Sequence, residues 1–214
     1  MKHFTARILS LLFGLFLYAM GVVLSIKANI GYAPWEVFHV GLAQKTEISI
    51  GVASIITGVV IVGIVLLLGE KIGLGTLLNM ILIGVFIDFI FISDIVPGQN
   101  TFIFGLFMLA MGFFVISLGS FFYIKAAFGA GPRDSLMVVL NRRTKLPIGV
   151  CRSTIELSVT IIGWVLGGMV GIGTVISVIA IGFFIQFTFF LLKFAPSEIK
   201  HETLYQTYKS ITKS

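Results

Sequence analysis

Six stretches of this chain stay apolar for about twenty residues each: 8–26, 48–68, 72–92, 102–124, 148–166 and 172–192. A helix rises about 1.5 Å per residue, so about 20 residues cross a hydrocarbon core of about 30 Å. Four of the runs hold no charged residue; the exceptions contain Asp88, and Arg152 with Glu156. The runs are continuous in apolarity rather than alternating, which selects helices over barrel strands. Backbone in lipid must find its hydrogen-bond partners internally, and a helix does so within one segment. The expected fold is an all-α polytopic membrane protein with six transmembrane helices.

Composition agrees. Apolar residues make up 57% of the 214 and charged residues 11%, against about half and about a quarter in a soluble domain. That excludes an ordinary soluble enzyme, a disordered chain and a nucleic-acid module. The net charge of +6 comes from 15 Lys and Arg against 9 Asp and Glu. These cations stand singly between apolar runs, so their bias reads as orientation across a lipid bilayer rather than as a polyanion site. The one cysteine, Cys151, rules out an intramolecular disulfide and a multi-cysteine metal site.

Two further apolar segments, 34–43 and 132–140, are too short to cross. At about 1.5 Å per residue each reaches about 15 Å, half the membrane. Each opens on proline, which suits the first helical position because its missing N–H has no partner there anyway. Glycine-containing irregular chain precedes both: Gly31-Tyr32-Ala33 and Gly129-Ala130-Gly131. They read as two short half-helices or re-entrant segments, and such backbone at membrane depth must be buried in protein or line a wet cavity.

Shifted by 98 residues, the sequence lies on itself without a gap from Gly14 to Phe89, with 26 of 76 positions identical. Ile26-Lys27-Ala28 falls on Ile124-Lys125-Ala126, Gly31 and Pro34 on Gly129 and Pro132, and Ile50-Gly51-Val52 on Ile148-Gly149-Val150. Gly73, Gly75 and Thr76 fall on Gly171, Gly173 and Thr174. Two structurally equivalent tandem repeats follow, residues 1–100 and 101–193, ahead of a polar tail over 194–214. The repeat also argues against reading the first apolar run as a cleaved signal, because a copy of it sits in mid-chain.

Three spans per half make the two repeats inverted; a crossing half-helix would make them parallel. With inversion and a cytoplasmic N-terminus, twelve cations, from Lys2 and Arg7 through Lys209 and Lys213, are cytoplasmic. Lys27 and Lys45 are then outside, and Arg152 lies within a span. Parallel halves split the cations ten against four. The loop 93–100 contains Asp94 and neither Lys nor Arg, which places it outside. Inverted topology, with both termini cytoplasmic, satisfies the positive-inside rule better.

The stretch Asn29-Ile30-Gly31-Tyr32-Ala33-Pro34-Trp35-Glu36-Val37-Phe38-His39-Val40-Gly41-Leu42, followed by Ile48-Ser49-Ile50-Gly51, resembles the YczE branch of the YczE/YyaS/YitT group of bacterial membrane proteins. Gly129, Pro132, Asp134 and Gly149 form a degenerate second copy. The resemblance implies a bacterial plasma-membrane protein and supplies no substrate.

Glu36 and Asp134 are repeat equivalents at the third position of their half-helices. Together they read either as a carboxylate pair binding a proton, cation or amine, or as caps opposing the positive helix ends. Arg152 and Glu156 stand four apart on one helical face and can pair; Glu156 is the deeper, by about 6 Å. His39, with no partner at metal-ligand spacing, reads as a polar interior residue, and Asp88 as an interfacial one. The candidate site therefore comprises Gly31, Pro34, Glu36, Gly129, Pro132, Asp134 and Glu156, where the half-helix starts meet. No His-Glu-x-x-His, Gly-x-Ser-x-Gly or phosphate-binding loop occurs, so neither an enzyme nor a cofactor is expected. Inverted repeats with broken helices suggest a transporter of a small molecule or ion. The alternative is a non-transporting membrane partner: a subunit of a larger transporter, or a scaffold, alone or as a homo-oligomer.

Overall fold

The computed structural model describes residues 2–212; Lys213, counted above with the cytoplasmic cations, and the side chain of Lys2 lie outside the described residues. The described residues form helices α1 (Lys2–Lys27), α2 (Pro34–Thr46), α3 (Ile50–Leu67), α4 (Leu74–Ser93), α5 (Phe102–Lys125), α6 (Pro132–Thr144), α7 (Ile148–Val165), α8 (Ile172–Leu191) and α9 (Leu204–Thr212), with no strand among them. Six of these, α1, α3, α4, α5, α7 and α8, are long and apolar enough to cross a membrane. The half-helices α2 and α6 each run 13 residues, about 20 Å, longer than their apolar segments. The helical backbone continues through Gln44-Lys45-Thr46 and Asn141-Arg142-Arg143-Thr144, where hydropathy has already ended.

The core is built on α1 against α5. A Cβ added at Gly14 would lie 2.8 Å from the Gly119 carbonyl oxygen, and one at Gly21 2.6 Å from that of Gly112. Residue 14 thus meets 119 while 21 meets 112, so the two helices run antiparallel with backbones in contact. Only glycine permits that approach. Leu11, Leu15, Val22, Leu109, Phe113 and Ile116 fill the seam around it. Helix α4 flanks α1 and α8 flanks α5, while α2 and α6 each pack between α3 and α7.

The chain leaves α1 and enters α3 at one end of the bundle. There Lys27 pairs with Asp94 at 3.4 Å, and Asp88 receives the Ser49 hydroxyl and, at 2.8 Å, the Gly51 amide. The chain that carries α2 therefore starts and finishes at this one end of the bundle. At the other end the chain that carries α6 does the same between α5 and α7: Arg7 donates to the Ala126 carbonyl at 3.0 Å, and Arg142 pairs with Glu70. The tail returns to this second end. Glu202 pairs with Arg7 at 2.7 Å, its amide bonds the Ala127 carbonyl, and the Leu204 amide bonds that of Ile72. The polar segment is thus docked on the bundle.

One equivalence fails. Helix α3 packs closely on α4 through Gly51 and Gly84, whereas their repeat counterparts on α7 and α8, Gly149 and Gly182, have nothing within 4 Å of a would-be Cβ.

Candidate functional site

The irregular chain before each half-helix is held by backbone. Gly173 donates to the Ile30 carbonyl at 2.8 Å, and Gly75 to that of Phe128 at 2.7 Å, the same bond 98 residues away. Gly31 and Gly129 have φ of +115° and +126°, values that L side chains rarely adopt. Cβ atoms there would meet Gly171 N at 2.7 Å and Gly73 Cα at 2.9 Å. Both glycines therefore serve crossings of the chain that aim the half-helices inward. Pro34 and Pro132 are buried as the first helical residues.

Neither Ala33 nor Gly131, the residues before these prolines, offers a side-chain cap, so first-turn amides lack one of their usual partners. The two first turns meet in the interior. Arg133 Nη1 lies 3.7 Å from Glu36 Oε1, and the Arg133 guanidinium sits 4.7 Å over the Trp35 ring. Glu36 is only 5% exposed, so this pairing partly compensates a charge taken out of water. Asp134 accepts a hydrogen bond from the Tyr123 hydroxyl at 3.1 Å, and Tyr18 stacks edge-on against Tyr123.

Glu156 binds Arg152 Nε at 2.8 Å and lies close enough to Glu36 to repel it electrostatically. Glu36, Asp134 and Glu156 thus fall within one charged cluster with Arg133 and Arg152. Gly31, Gly129 and the two prolines stand behind it as backbone supports. Beside the cluster is a cavity of about 70 Å³ bordered by Tyr18, His39, Asn79, Tyr123, Arg133 and Asp134, with Ser54, Thr57 and Gly58 along α3. His39 is 2% exposed, and its Nε2 has no hydrogen-bond partner among the described residues.

Sequence reasoning missed the pairing of Arg133 with Glu36 and the contributions of Tyr18, Thr57, Asn79 and Tyr123. Their signal was a polar atom placed singly inside an otherwise apolar run, which membrane burial makes costly unless the atom faces protein or a cavity. Asp88, read as interfacial, caps the α3 N-terminus together with Ser49.

Comparison with known proteins places the chain among membrane proteins without assigned roles. The profile of the family of unknown function DUF6198 matches residues 5–189. The chain is 37% identical over 177 residues to the uncharacterized membrane protein YczE of Bacillus subtilis, covering 82% of this chain and 81% of that one. An uncharacterized protein of Haemophilus influenzae is also 37% identical, over 83% of this chain and 80% of its own. YyaS of Bacillus subtilis is 24% identical over 77% and 83% of the two chains. No solved structure matches. A membrane-protein relative and six apolar helices together describe a multi-pass membrane protein.

Proposed function

The chain belongs to the DUF6198 family, and from that premise we propose that it is a plasma-membrane transporter of a small molecule or ion, with its site where two inverted repeats meet. The observation that carries this reading is the meeting of the half-helix starts through Arg133 and Glu36, beside a cavity that His39, Asn79 and Asp134 border in an otherwise apolar bundle. Broken helices that point first-turn amides at a central polar site are a recurrent transporter device. Antiparallel packing of α1 on its repeat counterpart α5, and half-helix segments that each start and finish at one end, the two at opposite ends, support inversion. So does the excess of cations toward the termini. No enzyme activity and no cofactor enter this reading.

The test is uptake. Cells expressing the protein and cells lacking it are compared for untargeted metabolite accumulation, then reconstituted liposomes are loaded with the solutes that differ. Glu36→Gln, Asp134→Asn and Glu156→Gln are expected to abolish flux while membrane abundance is kept. Full flux in all three variants overturns the site. Orientation is tested by cysteines in a Cys151→Ser background: those in loop 93–100 label from outside, those at 142–145 only after permeabilisation, and outside labelling of both overturns the topology.

One observation favours the second reading, a membrane partner or subunit. The α7–α8 seam, open at Gly149 and Gly182 where α3–α4 is closed, leaves small-residue backbone of the kind that accepts a neighbouring helix. Co-purification of a stoichiometric partner or a second copy, with no flux in liposomes, selects that reading.

A further inference from the structure

The two half-helices present the same carboxylate position to different surroundings. Helix α2 packs along α7, and α7 supplies Glu156 near Glu36, with Arg152 paired to Glu156. Helix α6 packs along α3, where the counterparts of Arg152 and Glu156 in the repeat are Ser54 and Gly58. Both of these border the cavity of about 70 Å³ that Asp134 also lines. Where one half of the protein carries an arginine side chain, the other holds open space.

The charges do not balance either. Glu36, Asp134 and Glu156 face two cations, Arg133 and Arg152, and these are engaged with Glu36 and Glu156. Among the described residues no Lys, Arg or His forms an ion pair with Asp134, whose hydrogen bond comes from the neutral Tyr123 hydroxyl. Asp134 is exposed, and its carboxylate stands at the cavity with no cation paired to it among the described residues. An independent observation points into the same space. His39 lines the cavity, is 2% exposed, and its Nε2 is unpartnered among the described residues. A neutral imidazole with a free ring nitrogen accepts an N–H donor. The Tyr18, Ser54 and Thr57 hydroxyl oxygens add further acceptor positions on the walls. One water takes about 30 Å³ in the liquid, so the cavity suits an occupant of a few heavy atoms.

We propose that this cavity binds a compact N–H-bearing monocation, of the ammonium or guanidinium type, with its charge against Asp134 and an N–H on His39 Nε2. The cation stands where the second half places the Arg152 guanidinium. Hard metal cations prefer all-oxygen ligand sets, which the imidazole here disfavours. Arg133 also borders the cavity, but its guanidinium is directed to Glu36 and Trp35. The inference rests on the central site proposed above and names its ligand class.

The experiment uses the purified full chain in nanodiscs. Thermal unfolding is followed as ammonium or guanidinium chloride, at millimolar concentration, replaces choline chloride at constant chloride, ionic strength and pH. A saturable rise in midpoint with ammonium or guanidinium, absent with choline, is expected. Loss of one charge-assisted hydrogen bond in Asp134→Asn should weaken the apparent affinity about tenfold or more. A second variant guards against misfolding: Ser54→Arg installs the missing guanidinium, so it should fold and no longer respond to added cation. An unchanged response in both variants, a response shared with choline, one that follows chloride instead, or one produced by pH alone each overturns the proposal. Solute flux in liposomes that persists without any cation response overturns this inference and leaves the transport reading standing. A cation response without flux of any solute does the reverse.

Discussion

Arg133 and Glu36 stand 97 positions apart in sequence and 3.7 Å apart in space. Each belongs to the first turn of a half-helix, so their ion pair is the joint at which the two half-helices meet. In the repeat alignment Arg133 falls on Trp35, the ring that its guanidinium covers. The joint is therefore made by a departure from the repeat, and the residues that diverge are those that touch across it.

Breaking this pair on one side should be worse than breaking both. Removing one partner of a buried ion pair costs about 3–5 kcal/mol, because the other charge is left unpaired. Arg133 keeps 28% of its side chain exposed, which puts Arg133→Ala near the low end. Glu36→Gln combined with Arg133→Gln leaves no charge stranded. Thermal unfolding in nanodiscs should rank the double variant as more stable than the sum of the single losses. Strict additivity would mean that the two side chains do not interact.

The glycine contacts make a prediction of sign. Gly→Ala within a helix normally stabilises by about 0.5–1 kcal/mol. At Gly21 and Gly112 the new methyl would sit 2.6 Å and 2.9 Å from a facing carbonyl oxygen, and overpacking of this kind costs about 1–3 kcal/mol. At Gly63 and Gly182 nothing lies within 4 Å. Alanine should lower the unfolding midpoint at the first two positions and leave or raise it at the other two. Equal effects at all four would remove the α1–α5 seam as the core of the fold.

Asp88 should behave as a cap contributed from a neighbouring helix. Its carboxylate takes the Gly51 amide and the Ser49 hydroxyl, and Ser49 takes the Val52 amide. Loss of such a cap costs about 0.5–2 kcal/mol. Asp88→Ala should therefore lower stability by that amount and leave transport or ligand response unchanged in the folded fraction. Any change in substrate selectivity would give Asp88 a role beyond the cap.

What the sequence carried and what it lost have physical causes. The six crossing helices were legible because lipid demands about 20 apolar residues in a row, and Pro34 and Pro132 marked the half-helix starts because proline has one place in a first turn. The half-helix ends were not: Gln44 to Thr46 and Asn141 to Thr144 keep helical hydrogen bonds after apolarity ends, a continuation that polarity alone does not reveal. The site was half visible. Glu36, Asp134 and Glu156 stand out as charges in apolar surroundings, whereas Tyr18, Thr57 and Asn79 reach the same cavity from separate helices. Only packing brings them together. The return of the tail was hidden for a similar reason, since Arg7–Glu202 joins residues at opposite ends of the chain.

The docked tail should loosen on acidification. His201 borders an open cavity of about 250 Å³ with Glu70, Arg142 and Glu202, beside the bonds that tie Glu202 to Arg7 and Ala127. Burial holds the His201 imidazole below its ordinary value of 6.5, and the Asp134 carboxylate opposes that shift more weakly. The free tail therefore binds a proton more tightly than the docked tail. Its docking is most favourable above pH 6.5 and weakens as pH falls through that value toward the lowered one. A cysteine at Lys200 in a Cys151→Ser background should label faster as pH drops through this window, once rates are corrected for thiolate content with a free-thiol standard. His201→Gln, which carries no titrating proton, should flatten the dependence, whereas a slope set by Glu202 would survive that change. A corrected rate that is flat in the parent, or that falls on acidification, would mean that the charge on His201 does not oppose docking.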